Sequence, residues 1–245
     1  MWDRRALWLP ACPELRRWVT GYGCVRATEL EAREALYPPR AEASLLIRWN
    51  GDDVSVNAIG PLTRARRKVH AAPPLYVRIA LRPGRARELL GVPIRELADR
   101  IVPLEELWPA HRLRDRLVGA PYSAAMPLIE AALLEGSREC RATPQRDALV
   151  SHAMRSLDTS KGRVAIAARD TGVSERSLRR LFWDEVGMTP KHYARIARLQ
   201  RVMARPSSPW VIAAADAGFH DQAHMIREFR DLLDITPAAF RKRSA

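Results

Sequence analysis

One pattern of residues occurs twice towards the C-terminus and constrains the fold more than any other feature of the chain. Residues 164–182 (VAIAARDTGVSERSLRRLF) and 210–229 (WVIAAADAGFHDQAHMIREF) share an Ala-rich stretch, a Gly, an apolar residue, a polar residue and a final Phe. A Thr-Pro pair and then an aromatic residue follow each Phe, and 47 residues separate the Phe, the Pro and the aromatic residue of one copy from those of the other. The second copy is one residue longer between Gly and Phe. This punctuation predicts an internal repeat of one supersecondary unit.

The first copy shows what that unit is. Gly172 permits the left-handed backbone of a sharp turn, Val173 is an apolar residue beneath the turn, and Ser174 is typical of the residue that caps a following helix. The helix after Ser174 has an apolar face and a basic face. Two helices joined by a tight Gly-containing turn, with the second helix amphipathic, are the layout of a helix-turn-helix motif. We therefore predict two such units, at about 164–182 and 210–230.

The basic face of the second helix suggests how the first unit would meet DNA. It presents Arg176, Ser177, Arg179 and Arg180. We expect these side chains to read base edges, because an arginine can donate two parallel hydrogen bonds to guanine O6 and N7. Phosphate contact or a solvated helix face is the alternative for each arginine. Ser174, at the start of the helix, is expected to contact phosphate.

A long helix from Thr189 to about Arg205 is predicted between the two copies, with Pro206 ending it. Free N–H groups at its start suit phosphate, so Thr189 and Lys191 are candidate phosphate contacts. Arg198 is expected to bond within the domain. If this link is rigid, the two recognition helices can lie about 34 Å apart, which is one turn of DNA.

The charge of the chain also favours a polyanionic partner. The net charge is +13 and the isoelectric point is about 10.7. From Cys140 onwards the sequence has 19 Lys and Arg against 11 Asp and Glu, so positive charge is denser there than before it. An Arg-rich sequence can also reflect only a GC-rich genome, so charge alone does not decide the function.

The N-terminal part has a different periodicity. Apolar residues alternate in 43–49, 53–58 and 75–81, with a hairpin turn at Asn50-Gly51, and helical spacing follows Pro83-Gly84. A helix is expected at 123–136, ended by Gly136. These patterns predict an α+β domain of antiparallel strands followed by short helices at 1–138, and an all-α domain at 139–245. Trp49, Tyr22 and Tyr76 are candidate liners of an effector pocket or, alternatively, plain core residues.

Three segments carry a resemblance to a known family. GVSERSLRRLFWDEVGMTPKHY, RLQRV (198–202) and AGFHDQAHMIREFRDLLDITPAAFR resemble the DNA-binding domain of the AraC family of bacterial transcription regulators. Residues 79–108 more weakly resemble a sensor-like domain that precedes this domain in some members. The chain departs from the family at Asp234, where the second unit usually has glycine, although Asp tolerates the left-handed conformation better than most residues.

The resemblance implies a sequence-specific regulator that binds duplex DNA through recognition helices in successive major grooves and is modulated through its N-terminal domain. In the second unit it implies that Gln222 and Arg227 read bases, and Ala223 and Ile226 suit a thymine methyl group. His224 is a candidate phosphate contact or simply an exposed residue. A small-molecule effector, RNA polymerase and a second copy of the chain are compatible partners.

Other classes of function find no support in the sequence. The scattered Cys12, Cys24 and Cys140 suit neither disulfides nor zinc, and no motif of a metal site, phosphate loop or catalytic nucleophile occurs. His220 and His224 lie four residues apart without further ligands. We therefore expect no enzyme, no cofactor and no metal, and a cytoplasmic, nucleoid-associated protein without a membrane segment. The alternatives are an architectural protein that binds DNA without base readout and an enzyme in the N-terminal domain.

Overall fold

The computed structural model describes residues 7–26, 33–70, 75–107, 111–139 and 144–244. The strands are β1 Leu7–Pro10, β2 Val19–Arg26, β3 Arg33–Tyr37, β4 Ser44–Asn50, β5 Asp53–Ile59, β6 Arg66–His70, β7 Leu75–Leu81 and β8 Ile101–Pro103. The helices are α1 Ala86–Leu90, α2 His111–Leu117, α3 Tyr122–Glu139, α4 Pro144–Thr159, α5 Val164–Asp170, α6 Glu175–Val186, α7 Pro190–Met203, α8 Trp210–Ala217, α9 Gln222–Leu233 and α10 Pro237–Ser244. An antiparallel sheet with short helices thus precedes a helical region, which confirms the predicted fold class.

The sheet of the N-terminal part has β7 at its centre. Its strand order is β1-β2-β7-β4-β5-β8, all antiparallel, and β3 pairs with β6 in a separate two-stranded sheet. β5 alternates buried and less buried residues as predicted. In β7, by contrast, Arg78 and Ala80 are buried along with Val77, Ile79 and Leu81, because this central strand is covered on both faces. The Arg78 guanidinium lies 2.5 Å from Glu42 Oε1, which offsets the cost of burying its charge.

Several local features differ from the sequence-based expectations. β1 and β8 were not expected, and both are edge strands too short to show a clear alternation. The β4–β5 turn consists of residues 51–52, one position later than expected, because Asn50 pairs with Asp53. Gly51 has the positive φ that the turn requires, at +64°. Gly136 does not end α3: its φ is not positive, and the helix continues to Glu139.

The helical region has two apolar cores that share one helix. The first core packs α4, α5 and α6, and the second packs α8, α9 and α10. α7 contributes Tyr193 and Ile196 to the first core and Leu199 and Val202 to the second. α7 therefore packs against both units and lies between them. The predicted domain division at 138–143 falls between α3 and α4, partly outside the described residues, and stays a prediction.

An ionic cluster joins the N-terminal part to α4. The Asp147 carboxylate at the start of α4 accepts a hydrogen bond of 3.0 Å from Arg17 and another from Arg85. Glu88 of α1 accepts from Arg17 at 2.9 Å and from the Trp18 indole N–H at 2.6 Å. Burial, together with the hydrogen bond it shares with Glu88, raises the pKa of Asp147 to about 6. The native cluster therefore binds a proton at a pH where an unfolded aspartate does not.

This proton gives the stability of the fold a defined pH dependence. The stabilisation from protonating Asp147 is complete below about pH 4 and is lost as the pH rises through about 6, because the folded pKa lies above the unfolded one. We expect the free energy of unfolding of the wild type to increase relative to that of Asp147→Asn when the pH falls from 7.5 to 5. Urea denaturation at both pH values measures this. Asp52→Asn, in the exposed β4–β5 turn, is the control and should follow the wild type. Parallel curves for wild type and Asp147→Asn would contradict the assignment.

Candidate DNA-binding surface

The first unit has the geometry of a helix-turn-helix motif. α5 ends at Asp170 and is capped by Thr171. Gly172 follows with a φ of +69°, and the Val173 N–H donates to the Ala168 carbonyl at 3.1 Å. Ser174 caps α6 as predicted, because its hydroxyl accepts the Ser177 N–H at 3.1 Å. Burial of Leu178 and Phe182 fixes the apolar face of α6 against the core. The opposite face of α6 is thereby turned to solvent.

The second unit repeats this geometry. α8 ends at Ala217 and is capped by Gly218, which has a φ of +84°, and the Phe219 N–H donates to the Ala214 carbonyl at 2.9 Å. Asp221 caps α9 by accepting the His224 N–H at 2.6 Å. α9 ends at Leu233 and is capped by Asp234, whose φ of +55° confirms the left-handed conformation expected at this position. Both predicted helix-turn-helix units are therefore present, with the second helix of each capped by a side chain.

The predicted base-reading residues of α6 lie together on its exposed face. They are Arg176, Ser177, Arg179 and Arg180. The Arg179 guanidinium forms an i,i+4 ion pair of 2.5 Å with Glu175, which would have to open before Arg179 could reach a base. Within the described part of the chain, Arg176 and Arg180 form no salt bridge. Their side chains are therefore more readily available to DNA than that of Arg179.

Trp183 is a further residue of this face that the sequence analysis missed. It lies seven residues after Arg176 and three after Arg180, so it falls on the same stripe of α6, and 46% of it is exposed. Large apolar side chains are costly to leave in water, and in the sequence Trp183 reads as an extension of the apolar run Leu181-Phe182. The signal that could have found it is its helical spacing from the arginines.

The predicted readers of α9 are less uniform. Gln222, Ala223 and Arg227 are exposed, whereas Ile226 is half-buried and shows only part of its side chain. This face has fewer hydrogen-bond donors than that of α6. The structure brings the four residues to one side of the helix, as their spacing requires.

The predicted phosphate contacts fall into two groups. Ser174, Thr189 and Lys191 are exposed, and the Thr189 hydroxyl caps α7 by accepting the His192 N–H at 3.2 Å. His224 is half-buried instead: its ring lies edge-on to Phe219 with centroids 5.4 Å apart, and its Nε2 is 3.6 Å from Glu228 Oε1. These contacts hold the His224 side chain against its own unit.

Arginines of α7 join the two units. Arg195 donates to Glu228 at 2.8 Å and to Asp231, both in α9. Arg201 donates to Asp158 of α4 at 2.7 Å, and Arg198 donates to the Lys161 carbonyl at 3.2 Å, as expected for a bond within the domain. Burial alone would lower the pKa of Arg195, but its hydrogen bonds to Asp231 and Glu228 raise it above the ordinary value. α7 is thus bonded to both units by charged groups as well as by its apolar face.

The aromatic residues considered for an effector pocket have other contacts. The Tyr22 hydroxyl is buried and donates to Glu130 Oε1 at 3.0 Å, and the Trp49 ring lies edge-on to Tyr122 with centroids 6.0 Å apart. Tyr76 is half-buried on β7. Among the described residues no group of three His, Cys, Asp or Glu is placed to hold a metal ion, and no helix is long and apolar enough to span a membrane.

Comparison with known proteins agrees with the geometry of the helical region. Residues 167–243 match the family of helix-turn-helix domains. An AraC-type DNA-binding domain-containing transcriptional regulator from Chromobacterium violaceum is 26% identical and covers 40% of this chain and 93% of its own, with a TM-score of 0.37. ToxT from Vibrio cholerae is 11% identical and covers 90% and 97%, with a TM-score of 0.47. No curated protein sequence matches the chain.

The match and the two capped units place residues 167–243 in the helix-turn-helix class of domains. Within this class, residues 167–243 resemble the AraC type of helix-turn-helix domain. The resemblance inferred from the repeated sequence is thereby confirmed for this region.

The cap of α6 gives a stability prediction for the first unit. Ser174→Ala removes the side-chain acceptor of the Ser177 N–H, and loss of such a cap costs about 1 kcal/mol in the free energy of unfolding. Ser174→Thr keeps a hydroxyl at the same position and should lose much less. Urea denaturation at neutral pH measures both variants. An equal loss in the two variants would show that the cap does not stabilise α6.

Proposed function

We propose that the chain is a sequence-specific transcription regulator that binds duplex DNA by inserting α6 and α9 into successive major grooves. The observation that supports this most directly is the pair of capped helices, each with an exposed reading face and both packed on the same helix α7. In this binding mode Arg176, Ser177, Arg179 and Arg180 read one half-element. Gln222, Ala223, Ile226 and Arg227 read the other.

The remaining polar residues position the protein on the DNA backbone. Ser174, Thr189 and Lys191 contact phosphate in this proposal, and the N–H groups at the start of α7 add a partial positive charge there. His224 contributes little in this proposal, because Phe219 and Glu228 hold its side chain. Phosphate contacts set the register of the protein, whereas base contacts set the sequence that it prefers.

Modulation through the N-terminal part is the second half of the proposal. Leu36 of β3 packs into the core of the second unit and Ala41 packs into the core of the first. A small molecule that changed the N-terminal part would act on both units through such contacts. The rival of a backbone-only binder requires positive charge but does not require two ordered reading faces.

Sequencing the duplexes that bind most tightly from a random pool tests the proposal. The expected result is a motif of two half-elements whose centres are about 10 base pairs apart. Binding that is uniform across sequences and collapses with added salt would overturn base readout and leave a backbone binder.

Removing the two arginines without a salt bridge should relax specificity in one half-element. Each bidentate arginine–guanine pair is worth about 1–3 kcal/mol of discrimination, so Arg176→Ala and Arg180→Ala should each reduce the preference for the selected base by about five- to 150-fold. Competition titrations against duplexes changed at single positions measure this. Arg138→Ala, an exposed arginine of α3, is the matched control and should leave every preference unchanged. A uniform loss across all duplexes would assign the two arginines to phosphate.

Lys191→Ala should weaken binding without changing the sequence preference. As a phosphate contact, Lys191 contributes equally to every sequence, so its loss should weaken binding uniformly and reduce the slope of log affinity against log salt by about 1. Titrations at several salt concentrations measure the slope. Arg138→Ala, which removes an exposed positive charge from α3, is again the control and should leave the slope unchanged. An unchanged slope for Lys191→Ala would remove this residue from the phosphate contacts.

A further inference from the structure

Two segments of the N-terminal part are fastened to each other beside the helix-turn-helix units. They consist of residues 60–67 and 94–100, and together we call them the bracket. The Gly60 N–H donates to the Arg100 carbonyl at 3.0 Å, and the Asp99 N–H donates to the Pro61 carbonyl at 2.8 Å. A Cβ on Gly60 would lie 1.7 Å from the Leu97 carbonyl oxygen, so the two backbones are as close as glycine permits.

Asp99 is the residue that holds the bracket together. Its carboxylate accepts the Thr63 N–H at 2.9 Å and the Thr63 hydroxyl at 2.5 Å, and its own carbonyl accepts from Arg66. Asp99 also has a φ of +58°, a conformation that costs a side-chain-bearing residue free energy unless its surroundings stabilise it. The hydrogen bonds of the Asp99 carboxylate to Thr63 therefore offset the cost of this backbone conformation.

One side of the bracket contacts the C-terminal end of α6. Gly187, which caps the C-terminal end of α6, has a φ of +74°. A Cβ there would lie 3.0 Å from the Ile94 carbonyl oxygen and 3.2 Å from the Pro61 ring. Both bracket segments thus meet the first unit at this point. Arg95 adds a salt bridge to Asp184 of α6.

The other side of the bracket contacts the second unit. The Ala65 N–H donates to the Leu232 carbonyl in the last turn of α9 at 2.8 Å, and Arg64 lies 3.2 Å from the Asp231 carboxylate. Between these points the Thr63 carbonyl oxygen lies 2.8 Å from Nε2 of His192, in the first turn of α7. Thr63, which Asp99 binds by two hydrogen bonds, therefore also contacts α7.

These contacts give the two units two independent connections. One connection runs through α7, and the other runs through the bracket. A shared helix alone leaves the two units free to bend about its axis, whereas a second connection at the far ends of α6 and α9 removes that freedom. The bracket contacts residues 184–187 and 231–232, while the proposed readers lie in the first two turns of each helix, so it restrains the helices without covering their reading faces.

We propose that Asp99 is a positioning residue for DNA recognition: by pinning the bracket it fixes the placement of α6 relative to α9, and so the spacing between half-elements that the protein accepts. The inference rests on the proposed function, since it requires both helices to read DNA. Each base pair added between half-elements moves one of them by about 3.4 Å along the duplex and turns it by about 35°. A rigid pair of helices must reject such a change, and a loosened pair tolerates it.

The experiment compares affinities across a set of duplexes that differ only in spacing. The full chain is titrated with the selected operator and with versions whose spacer is longer or shorter by one and two base pairs. Asp99→Gly is the test variant, because glycine keeps the left-handed backbone without strain and removes the carboxylate. Thr63→Val, which removes only the hydroxyl, is a milder second variant, and Asp52→Asn is the control.

The readout is the ratio of affinities between spacings. For the wild type and Asp52→Asn we expect about a tenfold preference for the selected spacing over its neighbours, the effect of losing roughly one base contact. The preference should fall to about threefold or less in Asp99→Gly and to an intermediate value in Thr63→Val. A variant that is merely less folded lowers all affinities by the same factor and leaves the ratio unchanged.

Three results would overturn the proposal. If Asp99→Gly keeps the wild-type ratio while the wild type has a sharp optimum, the bracket does not set the spacing and the proposed function still stands. If the wild type binds the selected half-elements with no preference for spacing, two proposals are wrong. One is the role of the bracket, and the other is the reading of successive grooves by a rigid pair of helices. If Asp99→Gly does not fold, an unchanged ratio in Thr63→Val would decide against the bracket.

Discussion

The burial of one face of α7 is the interaction on which the rest of the helical region depends. Tyr193 and Ile196 close the first core, and Leu199 and Val202 close the second, with Leu199 entirely inaccessible to solvent. Each fully buried aliphatic side chain of this kind contributes about 1.5–3 kcal/mol. α5 has seven residues and α8 has eight, and α7 completes the core of each unit. The same four side chains therefore contribute both to the stability of each unit and to its connection to the other.

A division between the two ends of each recognition helix follows from this arrangement. The N-terminal ends of α6 and α9 are capped by short polar side chains and lead into the exposed reading faces. The C-terminal ends finish in left-handed residues, Gly187 and Asp234, and meet the N-terminal part of the chain. DNA and the N-terminal part can thus contact the same helix without competing for its surface. The positive ends of the helix dipoles also lie on the side proposed for phosphate.

The sequence predicts those elements whose residues act locally. The Gly, the polar cap and the Phe of each copy recur in both units, so α5, α6, α8 and α9 could be placed from the sequence, and so could the conformation of Asp234. β1 and β8 could not, because both are too short to show an alternation, and β8 pairs with β5, which lies far earlier in the chain. Nor could the bracket, in which Asp99 bonds to a threonine 36 residues away. Nothing in a stretch such as ADRI marks its aspartate as different from a solvated one.

The difference between the two reading faces explains why rigidity matters to the proposed mode of binding. α6 offers three arginines, whereas α9 offers Gln222 and Arg227 beside apolar Ala223 and half-buried Ile226. In the proposed mode, a helix with so few donors binds weakly on its own. Once α6 is bound, however, α9 would be held next to its half-element, and its contacts would form without a second loss of translational freedom. That gain is largest when the connection places α9 at one spacing only. In the proposed mode the second unit, which has fewer donors, thus adds selectivity to the extent that the first unit, α7 and the N-terminal part hold it in place.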